Sequence, residues 1–222
     1  MSFLLEPLFS PDDAERVLQR LLGAPAQAWR PGAETAGWHA RTVKHNRQLD
    51  RTTALHGELA RQVVAALEAH PLVGAAAFPR RVHGLLFSRM GPGEGYGRHV
   101  DNAWMTGGRA DLSFTLALSP PDASTGGDLL LETPGGEERI RLPAGHAIVY
   151  PSTYLHAVET VSRGERVVAV GWIESRIRHA EQRELLFELD TARRALFAQE
   201  RKGEVFDLIS RSYSNLLRWW DG

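Results

Sequence analysis

The sequence contains no cysteine. That excludes disulfides, thiolate metal sites and cysteine nucleophiles, and it leaves any transition-metal chemistry to histidine and carboxylate ligands. The absence also fits a cytoplasmic location, where disulfides are rare. No run of about 18 apolar residues occurs, so neither a transmembrane helix nor a membrane partner is expected. The opening Met1-Ser2-Phe3-Leu4-Leu5-Glu6-Pro7 has no basic region and no long apolar stretch, and it does not read as a signal peptide. Nor is there an excess of one charge. The 26 basic and 27 acidic residues leave a formal net charge of −1, which argues against nucleic acid or another polyanion as partner. What remains is ordinary for a globular chain. A hydrophobic fraction of 43% over 222 residues suffices for one domain with a full core.

The patterning divides the chain into three. Region 1–80 is helical support, 81–175 is a β core, and 176–222 is a helical extension. Ser10-Pro11-Asp12-Asp13 is a helix start, with a serine N-cap, proline at the first helical position and acids in the first turn. Ala14, Val17, Leu18, Leu21 and Leu22 follow at helical spacing. Trp29 to Asp50 is polar and irregular, and reads as a solvated loop or hairpin or as a segment beside a site. Leu55, Leu59, Val63, Ala66 and Leu67 mark a second helix, which Pro71 is expected to stop. From Val82 onward the texture changes to short strands at 82–90, 112–119, 128–132, 137–142, 146–151, 155–161 and 166–174. Turns such as Gly91-Pro92-Gly93 and Pro134-Gly135-Gly136 separate them, which argues for a mainly β sandwich or barrel. Leu185, Leu189, Ala192 and Leu196 then suggest a helical stripe. A last helix with Phe206, Ile209, Tyr213 and Trp220 offers a surface for a homo-oligomer.

Within Tyr96-Gly97-Arg98-His99-Val100-Asp101, strand alternation puts His99 and Asp101 on one face. An imidazole and a carboxylate supply two legs of a metal site, and His156, at the start of another strand-like run, is the best third. Two histidines and one carboxylate with open positions are the ligand set of non-haem Fe(II) oxygenases. Oxygenases that use a 2-oxo acid also need a cation for its distal carboxylate, for which an arginine fork is suited. Arg166 heads a row with Val168, Val170 and Trp172. Arg163, at the turn before it, competes for the role. His146 is expected to face solvent, and His39, His45, His56, His70, His83 and His179 lack partners at ligand spacing.

The ordered blocks Tyr96–Ala103, Asp111-Leu112-Ser113, Gly126-Gly127-Asp128-Leu129, Leu142-Pro143-Ala144-Gly145, Tyr150-Pro151-Ser152 and Leu155-His156 resemble the bacterial PKHD-type hydroxylases. These are small relatives of prolyl 4-hydroxylase among the Fe(II)/2-oxoglutarate dioxygenases. Thr35-Ala36-Gly37 with Lys44, Asn46 and Gln48 extends the likeness towards the N-terminus. His45, Arg47 and Asp128 depart from the family's usual residues without touching a ligand position. The resemblance implies a double-stranded β-helix, or jelly roll, with one Fe(II) held by His99, Asp101 and His156. It implies 2-oxoglutarate held by Arg166, with Tyr96 in reach, O2 as the oxidant and L-ascorbate as a further requirement. Lys44, Asn46, Gln48, Asn102, Trp104 and Trp172 are then expected to line the pocket. The expected reaction hydroxylates a protein side chain, a peptide or a small metabolite, releasing succinate and CO2. Two rivals use the same ligands: a zinc hydrolase, which needs a base beside the metal and has no use for Arg166, and a non-catalytic jelly-roll module that senses or binds.

Overall fold

The computed structural model describes residues 4–38 and 40–222. The opening Met1-Ser2-Phe3 and His39, both read above, lie outside the described residues. The Gly/Pro-punctuated runs form antiparallel strands in two main sheets. The larger runs Leu4–Pro7, His146–Pro151, Leu112–Ala117, Arg166–Ser175, Pro79–Met90, Arg47–Leu49, Trp29–Pro31 in spatial order. The smaller runs Gly136–Ile140, Leu129–Thr133, His156–Val158, Gly95–His99, Lys44–His45.

Alternation sorts the residues of the larger sheet onto two sides. Val167, Ala169 and Ile173 join Leu85, Phe87, Phe114, Leu116 and Val149 in an apolar core with the helices. Their neighbours Val168, Val170, Leu86, Ser88, Ser113 and Thr115 line a cavity instead. In Pro79–Met90 the pairing slips between His83 and Leu86, and Gly84 takes a φ of 66°. The bulge brings both Val82 and Leu85, three apart, to the helix side. A side chain at Gly84 would also press on the indole of Trp172, its Cβ falling 2.5 Å from the ring.

Helices Pro11–Leu22 and Ala54–Ala69 cover the outer side of this sheet through Val17, Leu18, Leu21, Leu59, Val63 and Leu67. Each such leucine contributes about 1.5–3 kcal/mol by leaving water. Ser10 accepts the Asp13 N–H at 3.1 Å, the cap that the sequence suggests. Thr53 caps the second helix by accepting from the His56 N–H at 3.2 Å.

Three expectations change. Pro71 ends one helix but starts another, Pro71–Ala77, because proline at a first helical position forfeits no hydrogen bond. The helix Ala180–Glu200 buries Arg183, Leu186 and Asp190, whereas Leu185 is 47% exposed. An apolar stripe missed that face because two of its residues are charged and satisfied. Arg183 donates to the carbonyls of Ile177 and Arg178, both at 2.9 Å, and Asp190 accepts from Arg194 at 2.6 Å. Of the readings open for the polar Trp29–Gln48 stretch, the structure favours a segment beside the site: it gives both sheets edge strands, with Lys44, Asn46 and Gln48 buried. His146 opens its strand half-buried rather than in solvent. No helix among the described residues is long and apolar enough to cross a membrane.

Candidate active site

His99 ends the strand Gly95–His99 and His156 opens His156–Val158, and the two are directly paired across the ladder. Their rings lie 4.2 Å apart, centre to centre. Asp101 lies past the end of its strand rather than within it, because the ladder has no partner beyond His156. It still turns to the same side: Oδ2 is 3.8 Å from His156 Nε2. One donor atom from each of the three residues falls within 4.8 Å of the others. Ligands at about 2.0–2.2 Å from a common ion need little more closure than that.

The hydrogen bonds prepare these residues for a metal. His99 Nδ1 lies 2.8 Å from the Gly97 carbonyl and His156 Nδ1 lies 3.0 Å from the Tyr154 carbonyl. A carbonyl only accepts, so each Nδ1 carries the proton and each Nε2 keeps its lone pair for a metal. Burial, reinforced by neighbouring His156, lowers the His99 pKa to about 4, so this imidazole is neutral at pH 7. The carboxylate is braced too. Ser113 Oγ donates to Asp101 Oδ2 at 2.6 Å. With that proton committed, Ser113 accepts from Ser152 Oγ at 2.7 Å. Tyr96 stacks on the His99 ring at 3.5 Å, and its phenol is raised by burial and by Asp101, so it stays protonated. The donor set, its tautomers and its braced carboxylate fit a divalent first-row metal.

One cavity joins this cluster to the larger sheet. Arg166, Val168, Val170 and Trp172 all line it, in the inward row that alternation suggests. Arg163 is exposed in a separate two-residue ladder with Ser124–Thr125. Arg166 forms no ion pair among the described residues. Asp128 attracts it, but that carboxylate is already held by Arg141 at 2.5 Å. Burial lowers Arg166 to about 10, which leaves it cationic. Gly127 makes room for it: at a φ of 81°, a Cβ there would lie 2.9 Å from Arg166 Cδ. Tyr150, buried, faces His156 edge-on at 5.5 Å. Desolvation keeps its phenol far above the usual range.

Lys44, Asn46, Gln48, Asn102 and Trp172 line the cavity. Trp104 does not; it is 67% exposed, and its neighbour Met105 takes the inward place. The pair belongs to a two-residue ladder with Gly108–Arg109, in which adjacent side chains point opposite ways. Sequence reasoning gave no role to Thr35, Ser88, Ser113, Ser152 or Tyr150. The available signal was alternation: Ser113 and Thr115 share one face of a strand whose other face carries the apolar Leu112, Phe114 and Leu116. No carboxylate besides Asp101 lines the cavity among the described residues, so the base that a zinc hydrolase needs is missing there.

Residues 85–174 match the 2OG-Fe(II) oxygenase superfamily model, which spans the first two triad residues, the third and Arg166. The fold is shared with the crystal structure of a Pseudomonas putida prolyl-4-hydroxylase, at a TM-score of 0.60 and 21% identity over 78% of this chain and 92% of that one. It is also shared with a 2OG-Fe(II) oxygenase-family oxidoreductase from Burkholderia pseudomallei, at a TM-score of 0.56 and 19% identity over 81% and 86%. The class is thus an iron- and 2-oxoglutarate-using oxidoreductase with a jelly-roll core. More narrowly, the chain belongs to the PKHD-type hydroxylases. It is 55% identical over 193 residues to a PKHD-type hydroxylase of Synechococcus elongatus, covering 85% of this chain and 86% of that one. It is 48% identical over 220 residues to one from a Picosynechococcus, covering 99% of each. It is therefore a dioxygenase of the kind that consumes 2-oxoglutarate, O2 and a substrate.

Proposed function

We propose that this enzyme hydroxylates a C–H bond of a protein side chain, peptide or small metabolite, with Fe(II) held by His99, Asp101 and His156 and 2-oxoglutarate anchored by Arg166. The observation that carries the reading is an unpaired arginine in the cavity that holds a His/Asp/His cluster. Iron and 2-oxoglutarate supply the oxidising chemistry, in which O2 is consumed and succinate and CO2 are released. The chain's part is positional. The Gly97 and Tyr154 carbonyls fix the two imidazoles, and the Ser152–Ser113 relay fixes Asp101. Arg166 presents a planar fork to the distal carboxylate of the co-substrate, relieving the penalty of a cation left without a partner. Tyr96 lies against His99, in reach of the same co-substrate.

The test is anaerobic titration of the Fe(II) protein with 2-oxoglutarate, followed by its visible absorption. Arg166→Ala should weaken the co-substrate roughly 30-fold or more, as expected for a lost charge-assisted contact worth about 2–5 kcal/mol, while retaining Fe(II). Arg163→Ala should change little. The opposite result sinks this assignment of the anchor. L-Ascorbate belongs to the reading as a sustaining reductant, to be checked by omitting it during repeated turnover. Cytoplasmic location and a homo-oligomer formed through Glu204–Trp220 complete it. Solution scattering that shows a monomer would remove the last of these.

A further inference from the structure

The cavity holds a second cation that the iron and co-substrate reading leaves unused. Lys44 and Arg166 are the two lysine or arginine side chains that line it among the described residues. They stand on different sheets, Lys44 at the edge of the smaller and Arg166 inside the larger. Lys44 is only 7% exposed, and no carboxylate forms an ion pair with it among the described residues. Its ammonium reaches Thr35 Oγ1 at 3.1 Å and lies 5.1 Å from the centre of the Tyr96 ring. Thr35 in turn donates to Gln48 Oε1 at 2.7 Å, so it can only accept from Lys44. That leaves two of the three ammonium donors without a protein partner among the described residues. Trp172, which lines the same cavity, adds another: its buried Nε1 has no hydrogen-bond partner among the described residues.

Charge points the same way. Burial lowers the Lys44 pKa to about 8 and Asp101 opposes that shift, so the ammonium form prevails at pH 7, but in the loaded enzyme Asp101 is a metal ligand. Two positive charges on the metal and one each on Lys44 and Arg166 then face one negative charge on Asp101 and two on 2-oxoglutarate. One positive charge is left over in a desolvated site, where an uncompensated charge is unfavourable. The contact with Thr35 draws the Lys44 ammonium towards the cavity rather than towards solvent.

Resting on the proposed function, we infer that Lys44 anchors a carboxylate of the substrate that is to be hydroxylated. The substrate class is a monoanionic acid bound by the Lys44 ammonium, across the cavity from the 2-oxoglutarate anchor. The same group can come from a small free acid or from the C-terminus of a peptide.

Binding to the anaerobic Fe(II) enzyme saturated with 2-oxoglutarate tests this by calorimetry, with no turnover required. One arm compares small monocarboxylic acids with their primary amides. The other compares tripeptides bearing a free C-terminal carboxylate with their C-terminally amidated forms. At least one acid series should bind about 10- to 100-fold more tightly than its amides, the range of a hydrogen bond to a charged group. Lys44→Met should abolish that preference and Lys44→Arg should keep most of it, while both retain the 2-oxoglutarate-dependent visible band. The arm that shows the preference identifies the source. The inference is overturned if acids and amides bind alike, if no acid binds, or if Lys44→Met keeps the preference. It is also overturned if Lys44→Met loses 2-oxoglutarate, which would make Lys44 part of the co-substrate site. Absence of the visible band in the unaltered enzyme would instead refute the proposed function.

Discussion

The two sides of the larger sheet are built from alternate residues of the same strands, yet they answer to different demands. On the helix side Leu85, Phe87, Phe114, Leu116, Val167 and Ala169 meet Leu59, Val63 and Leu67 in a largely apolar contact. On the cavity side Ser88, Ser113, Thr115, Arg166 and Trp172 bring hydroxyls, a cation and an indole N–H into the interior. One side stabilises the fold by removing apolar area from water. The other accepts desolvated polar groups, of which Ser88 and Ser113 are satisfied by neighbouring side chains, while Arg166 has no ion pair and the Trp172 Nε1 no hydrogen bond among the described residues. A strand can serve both because neighbouring side chains never share a face, so stability and activity should separate under mutation.

The largest effect is expected on the helix side. Phe87 is fully buried against His56, edge to face at 5.5 Å. Phe87→Ala should destabilise by about 3–5 kcal/mol, measured by urea denaturation, while the surviving folded fraction keeps its 2-oxoglutarate affinity. A large loss of affinity in that fraction would mean that the two sides are not separable.

Next in size is the brace on the metal carboxylate. Ser113→Ala removes the donor to Asp101 and strands Ser152. Metal affinity should fall about 10- to 100-fold, as for other groups that orient a ligand, with a much smaller change in urea midpoint. Equal affinity in the two proteins would show that Asp101 needs no such support.

A smaller effect follows from pH. His99 has a pKa of about 4 in the folded chain, against about 6.5 when unfolded. The unfolded chain therefore binds this proton more tightly. The group has no influence on stability above about pH 7 and destabilises increasingly as pH falls through 6.5 towards 4. The metal-free protein should lose stability across that window, and His99→Gln should flatten the slope. An unchanged slope would place the titration elsewhere.

The same contrast explains what could be read from the sequence. The helix side was legible because burial enforces a period: Val17, Leu18 and Leu21, or Leu59, Val63 and Leu67, announce their faces. His99, Asp101 and His156 were legible because ligand chemistry admits few residue types. Lys44, Asn46 and Gln48 alternate as a strand should, yet they are polar, and polarity alone reads equally as solvent exposure. Ser113 and Ser152 carry common side chains whose value lies in a contact between distant strands, for which local spacing gives no sign. In Ala180–Glu200 a buried arginine and aspartate concealed the true face. Burial without apolarity leaves no periodic trace.

The smallest stability effect should come from Arg166, the residue proposed to anchor the co-substrate. Arg166 forms no ion pair among the described residues, and burial pulls its pKa down to about 10, so holding a cation there opposes folding of the empty protein. Arg166→Met keeps a long flexible stem beside Gly127 and Val168 but removes the charge, and no carboxylate is stranded by the change. Stability of the metal-free protein should stay level or rise by up to about 2 kcal/mol, as happens when a functional strain is relieved. Co-substrate binding should be lost in the same variant. Thermal melting with and without 2-oxoglutarate and Fe(II) measures both. The unaltered protein should gain melting temperature on adding them together, and Arg166→Met should gain less, since a ligand stabilises only in proportion to its binding. A marked drop in the metal-free melting temperature of Arg166→Met would show that the guanidinium serves the fold, and the division between the two sides of the sheet would fail at its most informative residue.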